Sequence, residues 1–135
     1  MADVLLFDTA RGEVVPFEPG HEVKMYVCGI TPYDSTHLGH ANTYLTYDLL
    51  IRRLEDLGHE VKLVRNITDV DDDIIRAARQ RDVHYLDLAF GETVRFDDDM
   101  AALNTLPPWS EPRATGAIGN IRGLIDTLLT QGDAY

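Results

Sequence analysis

The stretch that decides the fold is VKMYVCGITPYDSTHLGH, which covers residues 23–40. Its first part, Val23–Cys28, alternates between apolar and polar side chains and then turns apolar, as a strand buried in a sheet does. The following loop carries a glycine and a proline, which interrupt regular structure. Ser35 or Thr36 then caps a helix, because a hydroxyl group can accept a hydrogen bond from a free N–H at a helix start. The stretch therefore predicts a strand, a loop and the start of a helix.

The helix that starts here is predicted from about Thr36 to Leu57, where Gly58 ends it. Its apolar side chains repeat at helical spacing, at Leu38, Ala41, Leu45 and Leu49. The next strand is predicted at Val61–Val64. A strand, a helix and a second strand in this order form one βαβ unit, in which the two strands are parallel.

Further elements flank this unit. Short strands are predicted at Val4–Phe7 and Glu13–Phe17, and helices at Asp71–Gln80, Tyr85–Leu103 and Arg113–Thr130. The fold class is therefore α/β, with helices in the carboxyl-terminal part. A doubly wound nucleotide-binding sheet needs more strands than one βαβ unit supplies. We therefore expect residues 1–135 to form the amino-terminal portion of a larger catalytic domain, incomplete because the second half of the sheet is absent.

Composition limits the class of protein. The chain has 12 Lys and Arg against 23 Asp and Glu, a net charge of −11, which is the wrong sign for gripping a phosphate backbone. No apolar run reaches the roughly 20 residues that span a bilayer, and the first residues lack a signal peptide pattern. The single cysteine, Cys28, excludes an internal disulfide and fits a reducing compartment. We expect a cytoplasmic protein without membrane contact.

The two histidines at the predicted helix start, His37 and His40, are the strongest candidates for chemistry. Because they are three residues apart they share one face of the helix, and the helix N-terminus already favours an anion. Two imidazoles there would stabilise phosphate charge in a transition state. Gly39 between them leaves room for a flat ring near the backbone. The alternatives are ordinary surface histidines or half of a metal site.

Several spaced motifs resemble those of the cysteinyl-tRNA synthetase family, which includes the cysteine ligase of mycothiol biosynthesis. His37–His40 resembles the ATP-binding HIGH motif of the family, and Met25–Gly29 resembles the strand and zinc-ligand cysteine that precede it. Asn66–Asp72 resembles a second block, and Leu103–Pro108 a weaker third. The resemblance covers nearly the whole chain and implies a Rossmann-like, HUP-type nucleotide-binding fold.

The resemblance implies a reaction in which L-cysteine and ATP, with Mg²⁺, give cysteinyl adenylate, and the cysteinyl group then passes to an acceptor. It implies that His37 and His40 are catalytic. The residues that it assigns to the ATP and cysteinyl-adenylate pocket are Cys28, Gly29, Ile30, Thr31, Gly39, Thr43, Asn66, Ile67 and Thr68. It also makes Cys28 one ligand of a Zn²⁺ ion, with the other ligands in later sequence. With so few of these parts present, residues 1–135 alone are expected to be inactive.

Three features have simpler interpretations from the residues alone. Cys28 resembles a small buried apolar side chain at a strand end, and no other residue lies at close zinc-ligand spacing to it. The acidic run Asp69–Asp73 is interpreted as helix-start structure, because carboxylates stabilise a helix N-terminus, with a divalent-metal site as the alternative. Trp109, next to Pro107–Pro108, is interpreted as a packed loop anchor.

The acceptor is predicted from departures within the resemblance. Ile30–Asp34, Asn42 and Asp73 differ from the pattern common in tRNA synthetases, in which the last two positions are basic. Together with the net charge, they favour an amino-sugar acceptor, glucosaminyl inositol. Val64–Asp69 instead resembles the tRNA enzyme, so tRNA-Cys is the alternative acceptor. A non-catalytic nucleotide-binding paralogue is an alternative of another class.

Overall fold

The computed structural model describes residues 4–135, which form four strands and four helices. In chain order these are β1 (Leu5–Asp8), β2 (Glu13–Pro16), β3 (Glu22–Ile30), α1 (Leu38–Asp56), β4 (Glu60–Ile67), α2 (Asp72–Gln80), α3 (Tyr85–Ala102) and α4 (Ala114–Gln131). The first two strands form an antiparallel hairpin of their own. No helix in this part of the chain is long and apolar enough to cross a membrane.

The central feature is the parallel pair of β3 and β4, joined by α1. The register runs from Val23 opposite Val61 to Val27 opposite Arg65. This confirms the predicted βαβ unit and the α/β class. Both strands extend further than the sequence pattern indicated, because their ends carry glutamate and asparagine as well as apolar residues.

A third extended segment, residues 110–113, lies beside β4 in the parallel sense. The Arg65 N–H donates to the carbonyl of Ser110 at 3.1 Å, and the Ile67 N–H donates to the carbonyl of Pro112 at 2.9 Å. This segment was not predicted from the sequence, because a stretch rich in proline is not typical of a strand. A proline is tolerated at a sheet edge, where its missing N–H is not needed.

The buried Arg65 fastens this segment to the core. Its Nε donates to Glu111 at 2.6 Å, and its guanidinium lies over the rings of Phe96, at 4.6 Å, and Tyr44, at 5.3 Å. Asp97 completes the ion cluster at 3.3 Å. Burial is the main cause that raises the pKa of the Asp97 carboxyl, and the nearby carboxylate of Glu111 raises this pKa further. The two carboxylates and the two aromatic rings offset the cost of burying the charge of this guanidinium, which would otherwise be large.

Two groups of buried side chains hold the helices. The larger joins the sheet to α1 and α3 and consists of Val27, Ile30, Tyr44, Ile67, Phe96 and Met100. The smaller lies between α2 and α3 and consists of Ile74, Ala78, Leu88 and Ala89. In contrast, α4 has no buried residue within the described chain, and its Ile118, Ile121, Leu124, Ile125 and Leu129 are exposed.

The buried face of α1 is not the apolar stripe seen in the sequence. Leu38 and Leu49 are exposed, and the buried residues are Tyr44, Asp48, Ile51 and Leu54. Asp48 tolerates burial because its carboxylate accepts from Arg52 Nε and from the Leu106 N–H, both at 2.7 Å. Trp109 is also exposed, at 66%, so its interpretation as a packed anchor was wrong.

Candidate active site

The site lies at the carboxyl ends of β3 and β4, where their pairing becomes irregular between Val27 and Ile30. Gly29 sits at this irregularity. A Cβ atom on Gly29 would overlap the carbonyl group of Asn66, so the two strands approach too closely for any side chain there. The close approach therefore requires glycine at this position.

The side chain of Asn66 supplies the hydrogen bonds that the irregular backbone cannot make. Its Oδ1 accepts from the Gly29 N–H and from the Tyr26 hydroxyl, both at 2.8 Å. Its Nδ2 donates to Thr68 Oγ1 at 3.2 Å. Asn66 thus fixes the shape of the strand ends. Its contact with an adenylate stays a prediction.

Cys28 lies next to this irregularity and its thiol is exposed, so the interpretation as a buried apolar residue was wrong. Its carbonyl accepts a hydrogen bond from the Tyr44 hydroxyl on α1 at 3.1 Å. Burial raises the pKa of Tyr44 to about 12, so this hydroxyl keeps its proton and remains a donor. Tyr44 therefore fastens the end of β3 to α1.

The start of α1 is capped by its own histidines rather than by Ser35 or Thr36. His37 is the N-cap residue, and its Nδ1 accepts from the Gly39 N–H at 3.1 Å. His40 Nδ1 accepts from the His37 N–H at 3.3 Å, which completes a capping box. An imidazole nitrogen here takes the place that a hydroxyl or carboxylate oxygen usually fills.

This capping decides which nitrogen of each ring carries the proton. Because both Nδ1 atoms accept, the neutral rings carry their hydrogen on Nε2 and present it as a donor. The rings are stacked, with centroids 4.0 Å apart. Burial, and then the charge of His37, lower the pKa of His40. The pair therefore presents Nε2–H donors at a helix N-terminus, where an anion is already favoured.

A chain of ring contacts connects the histidines to the strand ends. The His40 ring meets Phe96 of α3 edge-on, with centroids 6.5 Å apart, and Phe96 meets Tyr44 in the same way at 5.2 Å. Tyr44 in turn reaches Cys28 through its hydroxyl. Neither Phe96 nor Tyr44 was predicted to belong to the site, because Phe96 was predicted to be a core residue of its helix and no role was carried over to Tyr44, although Thr43–Thr46 resembles the ligase.

The other predicted site residues divide by exposure. The side chains of Ile30 and Ile67 are in the core, so only their backbone could reach a ligand. Thr68 is half-buried, and its N–H donates to the Ile30 carbonyl at 2.9 Å. Thr43 is exposed on α1, with its hydroxyl donating to the Gly39 carbonyl at 3.1 Å. Thr31 is half-buried at the start of the loop.

The acidic run builds helix starts, as interpreted from the sequence. Asp71 is the N-cap residue of α2 and accepts from the Asp73 N–H at 2.9 Å, while Asp72 and Asp73 lie in the first turn. Asp69 is buried and accepts two hydrogen bonds from Thr115, in the first turn of α4. Asp69 and Asp71 therefore have structural partners as helix caps, and Asp73 pairs with Arg76 at 2.7 Å.

A zinc ion needs three or four protein ligands. Among residues 4–135 no group of three or more His, Cys, Asp or Glu is placed to hold a metal ion. A zinc ion at Cys28 would therefore need ligands from outside residues 4–135, and the zinc-ligand role of Cys28 stays a prediction.

Comparison with known proteins gives one family and several close relatives. Residues 14–135 match the family model described as the tRNA synthetases class I (C) catalytic domain. The chain is 50% identical over 133 residues to the L-cysteine:1D-myo-inositol 2-amino-2-deoxy-alpha-D-glucopyranoside ligase of Mycobacterium ulcerans, matching 98% of this chain and 32% of that protein. It is 51% identical over 130 residues to the ligase of the same name in Mycobacterium tuberculosis, matching 96% of this chain and 31% of that protein. The chain thus spans about a third of the length of these relatives.

Proposed function

The chain belongs to the family of class I tRNA synthetase (C) catalytic domains, and from that membership we propose that it provides the activation site of an ATP-dependent cysteine ligase. In the first step a carboxylate oxygen of L-cysteine attacks the α-phosphorus of ATP, and the bond to the β-phosphate oxygen breaks. The products are cysteinyl adenylate and pyrophosphate. Mg²⁺ accompanies ATP as its counter-ion.

The observation that carries this proposal is the histidine pair at the start of α1. Its two rings stack at the N-terminus of α1, the helix that follows β3, and their Nε2–H groups are free of the capping bonds, which use Nδ1. In open α/β sheets ligands bind at the carboxyl ends of the strands. Hydrogen bonds from His37 and His40 to phosphate oxygens would stabilise the charge that shifts onto them as pyrophosphate leaves.

The second step transfers the cysteinyl group to an amine. The amino nitrogen of glucosaminyl inositol attacks the carbonyl carbon of cysteinyl adenylate, loses a proton, and releases AMP as the amide forms. Both ligases named above act on an amino sugar linked to inositol, which supports this acceptor at about 50% identity. The net charge of −11 supports a small acceptor over a polyanion.

Zinc enters this proposal only through Cys28. Its exposed thiol at the end of β3 would hold a zinc ion if further ligands came from outside the described residues. Bound zinc would favour the thiolate form of a substrate cysteine. The part of residues 4–135 in the reaction is therefore to bind and orient ATP and cysteine at the strand ends.

The second candidate function is transfer of cysteine to tRNA, which the family description favours. The two acceptors are separated by supplying ATP and labelled cysteine to an enzyme that contains this chain, with either acceptor, at low and raised salt. Each phosphate neutralised by a protein adds roughly 0.7 to 0.9 to the slope of log affinity against log salt. Amide formation with little salt dependence supports the amino sugar, whereas tRNA charging with a steep slope and no amide contradicts it.

The histidine contacts are tested in the chain itself by NMR. Addition of ATP or a stable cysteinyl-adenylate analogue is expected to shift the Nε2 resonances of His37 and His40. His59 is an internal control, because it lies before β4, at the opposite end of the strand, with its Nδ1 2.9 Å from the Gly20 carbonyl. Equal shifts at all three histidines, or none, would contradict the proposed site.

A further inference from the structure

A buried carboxylate on α3 has incomplete hydrogen bonding. The side chain of Glu92 is 5% exposed, and its Oε1 accepts from Arg81 Nη1 at 3.2 Å and from Arg95 Nη1 at 2.9 Å. Its Oε2 is buried without a hydrogen-bond partner within residues 4–135. A buried charge is costly unless it is paired, so Glu92 depends on its two arginines.

Arg81 also reaches in a second direction. It is the C-cap residue of α2, and its Nη2 lies 3.5 Å from Asp34 Oδ1 in the loop before α1. The same Oδ1 accepts the Ser35 N–H at 2.8 Å. The planar guanidinium can point two nitrogens at two different carboxylates, which a lysine ammonium on a flexible stem cannot do with fixed geometry. One end of Arg81 is thus anchored in the interior while the other holds the loop.

The loop that Arg81 holds, residues 31–37, joins the predicted adenylate-binding residues to His37. On α3, Glu92 and Phe96 are one turn apart on the same face, and Phe96 meets the His40 ring. Helix α3 therefore supports the site twice, at His40 through Phe96 and at Asp34 through Arg81. We propose that Arg81 is a positioning residue, which fixes the loop 31–37 for ligand binding by bridging Glu92 and Asp34. Its role in ligand binding rests on the proposed function.

Arg95 provides a matched control. It donates to the same Glu92 oxygen as Arg81, but the described residues show no ion pair or hydrogen bond between Arg95 and Asp34. If Arg81 acts only by compensating Glu92, Arg81→Ala and Arg95→Ala should behave alike. If it positions the loop, only the Arg81 variant should resemble Asp34→Ala.

The first measurement is amide hydrogen exchange in the loop, which requires no ligand. Arg81→Ala and Asp34→Ala are each expected to speed exchange of the Tyr33 amide, which donates to the Thr31 carbonyl rather than to Asp34, by up to about fivefold for a pair of this exposure. The double variant is expected to add nothing further, because both single changes break the same pair. Arg81→Lys should keep the overall stability yet exchange like Arg81→Ala. Arg95→Ala should leave loop exchange unchanged.

Equal acceleration by Arg95→Ala, or additive effects in the double variant, would overturn the proposal. Should Arg81→Ala fail to fold, Asp34→Ala and Arg81→Lys decide the question, since Asp34 is a surface residue.

A second measurement connects the bridge to ligand binding. The dissociation constant for a stable cysteinyl-adenylate analogue is expected to rise by about the same factor as loop exchange in the Arg81 and Asp34 variants, and not in Arg95→Ala. Unchanged affinity alongside accelerated exchange would overturn the role in binding. Failure of the unaltered chain to bind any nucleotide would instead contradict the proposed function, while the exchange result would still test the bridge.

Discussion

Thr115 donates two hydrogen bonds to the buried carboxylate of Asp69, from its N–H at 2.9 Å and from its Oγ1 at 2.6 Å. These residues are 46 positions apart, and the contact caps the start of α4 from the loop that follows β4. The N-cap residue of that helix, Arg113, makes no side-chain capping bond within the described chain. Asp69 therefore does for α4 what a local N-cap residue does for most helices.

Removing this carboxylate should destabilise the fold. Asp69→Ala loses the cap and leaves the Thr115 groups without their partner, so we expect a loss of about 1–3 kcal/mol. Urea unfolding followed by circular dichroism measures it. Asp72→Ala, an exposed change in the same acidic run, is the control and should cost much less. Equal losses in both variants would mean that the run acts only through its charge.

Gly29 should be the least replaceable glycine in the chain. In Gly29→Ala the new methyl group would overlap the backbone of Asn66, which cannot move without separating β3 from β4. We expect a loss of about 3 kcal/mol or more, beyond ordinary overpacking, again by urea unfolding. Gly116→Ala is the matched control, since a Cβ there meets nothing within 4 Å and helix α4 should gain slightly. A Gly29→Ala protein with unchanged stability would contradict the close strand approach.

Gly39→Ala should separate folding from binding. Alanine is favoured over glycine inside a helix, but its Cβ would lie 2.8 Å from the His37 ring, which can rotate away. Displacing His37 also breaks its cap on the Gly39 N–H, so we expect the lost cap to offset the gain in helix propensity, with a net change in stability within about 1 kcal/mol and with weaker nucleotide binding. Unfolding and a nucleotide titration on the same protein measure the two effects. A variant that binds as well as the unaltered chain would show that the orientation of His37 is unimportant.

The histidine pair predicts a particular dependence on pH. The pKa of His40 is lowered by burial and by His37, so the unfolded chain binds a proton at His40 more readily than the folded chain does. Well above the ordinary pKa of 6.5, His40 contributes nothing to the pH dependence of the free energy of unfolding. As the pH falls through and below that value, protonation of His40 in the unfolded chain destabilises the fold. An NMR titration should place His40 below 6.5. In the His37→Asn variant the pKa of His40 should rise only part of the way toward 6.5, because burial is the larger cause of its lowering. A His40 pKa above 6.5 would contradict the geometry.

The sequence predicted the parts of the fold that depend on local pattern. The strand β3, the helix α1 and the strand β4 each carry their own periodicity, so their order and the parallel pairing followed. The buried face of α1 did not follow, because Asp48 is made acceptable inside the protein by Leu106, far along the chain. The segment at Ser110–Arg113 was missed for a similar reason, since its pairing depends on β4 and Arg65.

The candidate site divides in the same way. His37 and His40 stand out because two histidines three residues apart are unusual at a helix start, whereas Gly29 was assigned to the site only through the family resemblance. Tyr44 and Phe96 look like ordinary core residues in the sequence, and only the folded chain brings them between Cys28 and His40. No local pattern could show that the Asn66 side chain accepts a hydrogen bond from the Gly29 N–H on the neighbouring strand.

The double duty of His37 affects how substitutions at this position should be interpreted. Because its imidazole caps α1, alanine would remove both a helix cap and the hydrogen-bond donor that we propose for phosphate, and a loss of activity could not be attributed to either. Asparagine is among the best N-cap residues, so His37→Asn would keep the helix start while removing the Nε2–H donor. The difference between the two variants would measure the cap alone. The contribution of His37 to the helix start and its contribution to the proposed ligand contact can thus be measured separately.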